Sequence, residues 1–238
     1  MALVIHTDSN GFYYNVTNQY SCWGTAQSYW NDRYECDEPH MLNNATKIFN
    51  QLRYWGWDKR SACAVIGNMC AESYLNAAQT QHGYTIGGNS GGYGLVMWTP
   101  QTNYRDWART NNHDPVLAYW QAYCIDTLEN VPDQWDETEY NMTYAEFKTN
   151  PNNYSVEYMT MVFFYSYERA GEQAMAYRVH CANWYATYFF NYDPEDPSQP
   201  DPPMPPPSPL DPPSEPYKRY GMRKRLPIWM YPVIRQRR

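Results

Sequence analysis

Nowhere does this chain hold the roughly 20 consecutive apolar residues that a helix needs to cross a bilayer; its longest apolar run, around Met161 to Phe164, is interrupted almost at once. The opening residues, Met-Ala-Leu-Val-Ile-His-Thr-Asp, have neither a basic start nor an apolar core of about 7–15 residues, so no cleavable export signal is expected there. Metal-binding spacings are missing as well. No Cys-x-x-Cys and no His-x-x-x-His occurs, and Cys63 and Cys70, seven apart on one predicted helix, are too distant to chelate together. Neither a metal nor an organic cofactor is therefore expected. Basic residues are scarce over residues 1–192, which hold 10 Lys and Arg against 19 Asp and Glu, a balance of -9. An acidic body of this kind argues against nucleic acid as the main partner.

What the chain does hold in quantity is aromatic: 18% of its residues, led by 25 Tyr and 10 Trp. Such rings either fill a core or present flat faces to ligands such as sugars, and composition does not choose between the two. The six cysteines allow three disulfides by parity, and Cys22 with Cys36, flanking a short aromatic stretch, is the pair expected to bond.

Composition also divides the chain. Residues 1–40 alternate aromatic, polar and turn-forming residues, as an arm of short strands would. Residues 41–192 carry helical patterns and are expected to form the main domain. Residues 193–216 contain 12 prolines and six acids in 24 positions. That composition excludes helix and sheet and predicts an extended spacer, on the order of 70 Å long at ~3.1 Å per residue. Residues 217–238 carry eight Lys or Arg and no acid, mixed with Ile228, Trp229, Tyr231 and Val233. A basic, partly apolar peptide behind an acidic body usually reports a partner.

The fold class these patterns predict is mainly α (α+β), with one small β or loop excursion. Ala45, Ile48, Phe49, Leu52 and Trp55 recur at the spacing of one helical face, with Asn43 or Asn44 as N-cap and Gly56 as stop. Asp58 caps a second helix whose apolar stripe is Ala62, Val65, Ile66, Met69 and Cys70 and which runs out at Ser73. Residues 79–99, with Gly87-Gly88-Asn89-Ser90-Gly91-Gly92 at their centre, suggest a hairpin-like excursion. Further helices are expected at about 101–110, 114–130, 155–167 and 172–190, the last carrying Tyr177, Arg178, Cys181, Trp184 and Tyr185.

Glu72 stands out on the second helix. Seven residues after Val65 and three after Met69, it falls at the edge of the buried stripe and in the last turn. The negative end of the helix dipole and the apolar surroundings both disfavour a charged carboxylate there, the condition a proton donor requires. A Glu that merely ends a helix and faces water fits the spacing equally well.

Three blocks add to this. Gly67-Asn68-Met69-Cys70-Ala71-Glu72-Ser73, then Gly92-Tyr93-Gly94-Leu95-Val96-Met97-Trp98-Thr99, and Tyr167-Glu168-Arg169-Ala170 with Ala182-Asn183-Trp184-Tyr185, give the chain a pattern that resembles the phage tail lysozyme family over about residues 42–190. That family includes tail-tip peptidoglycan hydrolases of short-tailed phages and lysozyme modules of conjugation systems. The resemblance implies a lysozyme-like fold and cleavage of the β-1,4 linkage between N-acetylmuramic acid and N-acetylglucosamine, with Glu72 as general acid. It matches Ser73 to the acid's neighbour and Gly92, Tyr93, Gly94, Leu95 and Trp98 to the segment facing the acid across the cleft; Ser73, Tyr93, Gly94, Trp98, Thr99 and Ser90 are the expected substrate-binding residues, and about half of Tyr74, Tyr84, Tyr93 and Trp98 are expected to line the cleft. His82 and His113 are expected to be plain surface residues.

Two positions depart from the family's pattern. Met97 stands where Gln is usual, which puts a sugar-amide hydrogen bond in doubt, and Ala170 replaces a Pro beside Glu168 and Arg169, a pair expected to be structural. A second carboxylate is absent too: no Asp or Glu lies between Glu72 and Trp98, the next being Asp106 and Asp114. Glycosidases of both stereochemical classes use two carboxylates. Three readings stay open: a hydrolase whose water is held by hydroxyls such as Ser90 or Thr99, a lytic transglycosylase, or a non-catalytic wall-binding virion component. The expected place of action is the virion tail or the cell wall, with residues 217–238 tethering the chain to virion proteins or anionic wall polymers.

Overall fold

A computed structural model describes residues 4–19, 23, 36–169 and 174–191. In chain order its elements are β1 (His6–Thr7), β2 (Tyr13–Tyr14), α1 (Pro39–Tyr54), α2 (Lys59–Ser73), α3 (Thr102–Thr110), α4 (Ala118–Thr127), α5 (Tyr144–Thr149), α6 (Val156–Phe163) and α7 (Met175–Phe190). The mainly α expectation holds, and the lone sheet among the described residues is the two-stranded pair β1–β2. No described helix is long and apolar enough to cross a membrane.

Helix α2 is the central rod. Asp58 starts it by accepting hydrogen bonds from the backbone N–H groups of Arg60 and Ser61, satisfying donors that a helix start leaves unpaired. Every residue from 61 to 70 is buried, so this helix is enclosed all round by α1, α6 and α7 rather than packed on one stripe. The crossing with α7 is tightest at Gly67: a Cβ there would lie 2.5 Å from the carbonyl oxygen of Arg178 and 2.6 Å from Cβ of Ala182. Gly67→Ala is expected to destabilise the fold by about 1–3 kcal/mol through overpacking. A lowered urea midpoint at unchanged slope would show it.

Helix α1 begins earlier than expected. Glu38, not Asn43 or Asn44, is its N-cap, accepting from the backbone N–H groups of His40 and Met41, and Pro39 occupies the first turn. Asn44 is instead buried within the helix and fixes the N-terminal arm: its amide accepts from the N–H of Tyr13 and donates to the carbonyls of Tyr13 and Leu75. Asn76 grips Asn15 in the same two-way fashion, and Thr80 N–H donates to the carbonyl of Thr17. Residues 4–19 are thus knitted onto α1 and onto the turn after α2.

The excursion over residues 79–99 is a folded loop with isolated bridges, Thr80 to Tyr93 and Tyr93 to Trp98, in place of a regular hairpin. Gln121, buried on α4, braces it by accepting from Leu95 N–H and donating to the carbonyl of Ala77. Helix α4 is shorter than the expected 114–130. Helix α5 was missed, although Thr143 and Glu146 form a capping box that announces it. Helix α6 loosens into a π-helical turn, Phe164–Glu168, closed by Arg169 at φ +47°. Cys22, the spacer and the basic peptide lie outside the described residues. Cys36 has its sulfur 3.2 Å from that of Cys181 on α7.

Candidate active site

Glu72 occupies the last turn of α2, and its side chain is 16% exposed. It is not surrounded by apolar groups alone. Arg178 of α7, itself buried, brings its Nη2 to 2.5 Å from Oε1 of Glu72. Its Nη1 donates to the side-chain and backbone oxygens of Asn68 at 2.9 and 3.3 Å, and its guanidinium lies over the Phe164 ring at 4.8 Å. Asn68 and Glu72 are four apart on one face of α2, so a single arginine fork engages both. Asn68 is tied in turn to the carbonyls of Ala64 and Thr160. Beside the apolar stripe that the sequence predicts, Glu72 thus has a buried cationic partner that the sequence does not announce.

The other wall comes from the glycine-containing segment 92–98. Ser73, fully buried, donates its hydroxyl to the carbonyl of Leu95 at 2.9 Å, which pins that segment to the end of α2 beside Glu72. Gly94 is required there: its φ is +80°, and a Cβ would meet Oε1 of Gln121 at 2.5 Å. Trp98 is buried, stacks on Tyr104 at 4.7 Å and donates from Nε1 to the hydroxyl of Tyr167. Tyr93 is buried too and also stacks on Tyr104, their ring centroids 6.3 Å apart. Burial pushes the phenols of Tyr93, Tyr104 and Tyr167 well above the ordinary tyrosine range, so all three stay neutral.

The structure therefore brings Glu72, Ser73, Tyr93, Gly94 and Trp98 to one junction. Of the four aromatics expected to divide between core and cleft, Tyr74, Tyr93 and Trp98 are buried, and Tyr84 alone is half-exposed. Ser90 and Thr99 are exposed at the loop's rim, Thr99 with its hydroxyl donating to the carbonyl of Met97. Met97 itself is half-buried at φ +49°. Arg169 donates to the carbonyl of Gln134, and no ion pair between Glu168 and Arg169 occurs among the described residues. Arg178 was not singled out beforehand. The available signal was an arginine among Tyr177, Cys181 and Tyr185, a cation placed on a predicted buried face that demands a partner.

Comparison with known proteins bears on this junction. The family model described as phage tail lysozyme matches residues 43–189, more than half of the chain and all of α2 through most of α7. Morphogenesis protein 1 of Bacillus phage B103 is 36% identical over 131 residues, covering 54% of this chain and 34% of that protein. The chain thus aligns with about a third of the length of that relative.

Proposed function

The chain belongs to the phage tail lysozyme family, and on that footing we propose that it cleaves peptidoglycan glycan strands as a virion-borne enzyme, with Glu72 as the general acid at the N-acetylmuramic acid–N-acetylglucosamine β-1,4 linkage. The observation that carries the proposal is a half-buried carboxylate at a helix end, braced by a buried arginine, next to a Ser73 that holds segment 92–98 to the same helix, all within the residues the family model matches. A glycan entering beside Glu72 displaces water and supplies a leaving oxygen in need of a proton.

The fate of the sugar cation separates two chemistries. With no acid between residues 73 and 105, either the muramic acid's own 6-hydroxyl closes on the anomeric carbon or a water does so. Digestion of purified wall followed by mass spectrometry of the soluble fragments tells them apart. Reducing ends mark the hydrolase, which the family favours, and 1,6-anhydromuramic ends mark the transglycosylase. Absence of soluble fragments, or release that persists unchanged in Glu72→Gln, overturns the enzymatic reading in favour of a wall-binding virion component.

The proline spacer and basic peptide supply the second part of the proposal: residues 217–238 hold the enzyme on a virion assembly or on anionic wall polymers. Deleting residues 193–238 is expected to leave cleavage of soluble glycan intact while lowering retention on walls in a sedimentation assay. Lost cleavage with retained sedimentation is the opposite result and excludes the tether.

A further inference from the structure

Helix α3 carries two arginines one turn apart with different fates. Arg109, exposed, pairs with Asp106 at 3.4 Å. Arg105, half-buried, belongs to no ion pair among the described residues. Its Nη1 donates to neutral acceptors, Oε1 of Gln101 at 2.9 Å and the carbonyl of Gly88 at 3.3 Å. Its guanidinium lies 5.5 Å from the centre of the Tyr93 ring.

The surroundings show a cation held ready and not merely left over. Gln101 is buried and also donates to the carbonyls of Ser90 and Thr85, so the loop 85–90 is bound to α3 through these two side chains. Nη2 of Arg105 lies only 3.3 Å from where a Cβ on Gly87 would be, at an exposed glycine with φ +79°. On that side the neighbour of the fork is a glycine, with no side chain to cover it. Burial, and then the neighbouring Arg109, pull this guanidinium below the ordinary arginine range, as expected of a charge without a counter-ion. Residues 1–192 have nearly twice as many acids as bases, so a partly desolvated arginine that has found no carboxylate is a feature in want of an occupant.

We propose that Arg105 binds a carboxylate carried on the muramic acid residue of the glycan and so selects peptidoglycan over uncharged glycan; this rests on the glycosidase reading of the Glu72 site. Tyr93 connects the two places, since the segment that carries it is pinned to α2 next to Glu72 and Arg105 covers its ring. The planar fork suits a carboxylate's two oxygens. Two sources supply that group: the lactyl arm of muramic acid when it bears no peptide, and the stem peptide when it does.

Equilibrium binding of the full chain to three fragment sets tests this, with Arg105→Gln and Arg105→Lys alongside. The sets are muropeptide strands with stem peptides, amidase-stripped strands with free lactyl groups, and neutral N-acetylglucosamine oligomers. Loss of one charge-assisted hydrogen-bonded pair predicts a roughly 10- to 100-fold weaker Kd for Arg105→Gln, confined to the set whose carboxylate is read. Neutral oligomers bind as before, and Arg105→Lys recovers part of the loss. A drop shared by all three sets means that Arg105 only supports the loop and overturns the proposal, as do an unchanged Kd on both acidic sets and a wild type that binds no acidic fragment. Charge-selective binding without any cleavage overturns the glycosidase reading alone.

Discussion

Glu72→Gln is expected to slow glycan cleavage by about 10²- to 10⁴-fold, the range a positioned general acid contributes, while the protein stays folded. The amide is nearly isosteric and its oxygen still accepts from Arg178, so the substitution removes the carboxyl group proposed to transfer the proton but not the contact. Asn68 continues to take two hydrogen bonds from the same guanidinium. A stability loss on the order of 1 kcal/mol is expected from giving the buried Arg178 a weaker acceptor. Rates must therefore be compared per folded molecule, with a melting curve for each variant. A residual rate within a factor of about three of wild type would remove Glu72 from the chemistry.

Arg178→Met should have the largest effect on stability. Methionine fills a similar volume beside Phe164, so packing is largely kept, but the fork that joins α7 to α2 is gone. Asn68 loses a donor to both of its oxygens, and Glu72 is left as a half-buried carboxylate without its guanidinium. Breaking one side of such a pair costs about 3–5 kcal/mol when both partners are enclosed; with Glu72 16% exposed, water recovers some of that, and about 3 kcal/mol is expected. Arg178→Lys should not restore it, because one ammonium cannot reach Asn68 and Glu72 together. Urea unfolding of both variants measures the loss. Equal stability of Arg178→Lys and the wild type would show that the fork geometry has no role.

Glu72 was legible because its position repeats a simple period: a capped helix, a stripe of apolar residues, and a carboxylate at the stripe's edge. Asp58 as cap and Ser73 as end were readable for the same reason, since both follow from local hydrogen bonding. The limits are equally physical. Asn44 has the composition of a helix cap, yet its amide serves Tyr13 and Leu75, partners 31 residues away on either side, and nothing local announces such a bond. The pairing of Arg178 with Glu72 spans 106 residues and follows no period. Whether Trp98 and Tyr93 face sugar or core depended on Tyr104 and Tyr167 stacking and bonding against them, which composition alone does not reveal. The Thr143 and Glu146 box, by contrast, was plain in the sequence, and α5 was overlooked because a helix of six residues shows too little apolar periodicity.

The fork of Arg178 has a consequence for how the molecule comes into being. Carboxylate and guanidinium reside on helices made far apart in time, and the turn beside Glu72 is also gripped by Tyr13 through Asn44 and by Asn15 through Asn76. No short fragment contains the whole Glu72 junction. A growing chain carries Glu72 unbraced until α7 has cleared the ribosome and folded back, so the junction is completed only when both the arm and the last helix are in place.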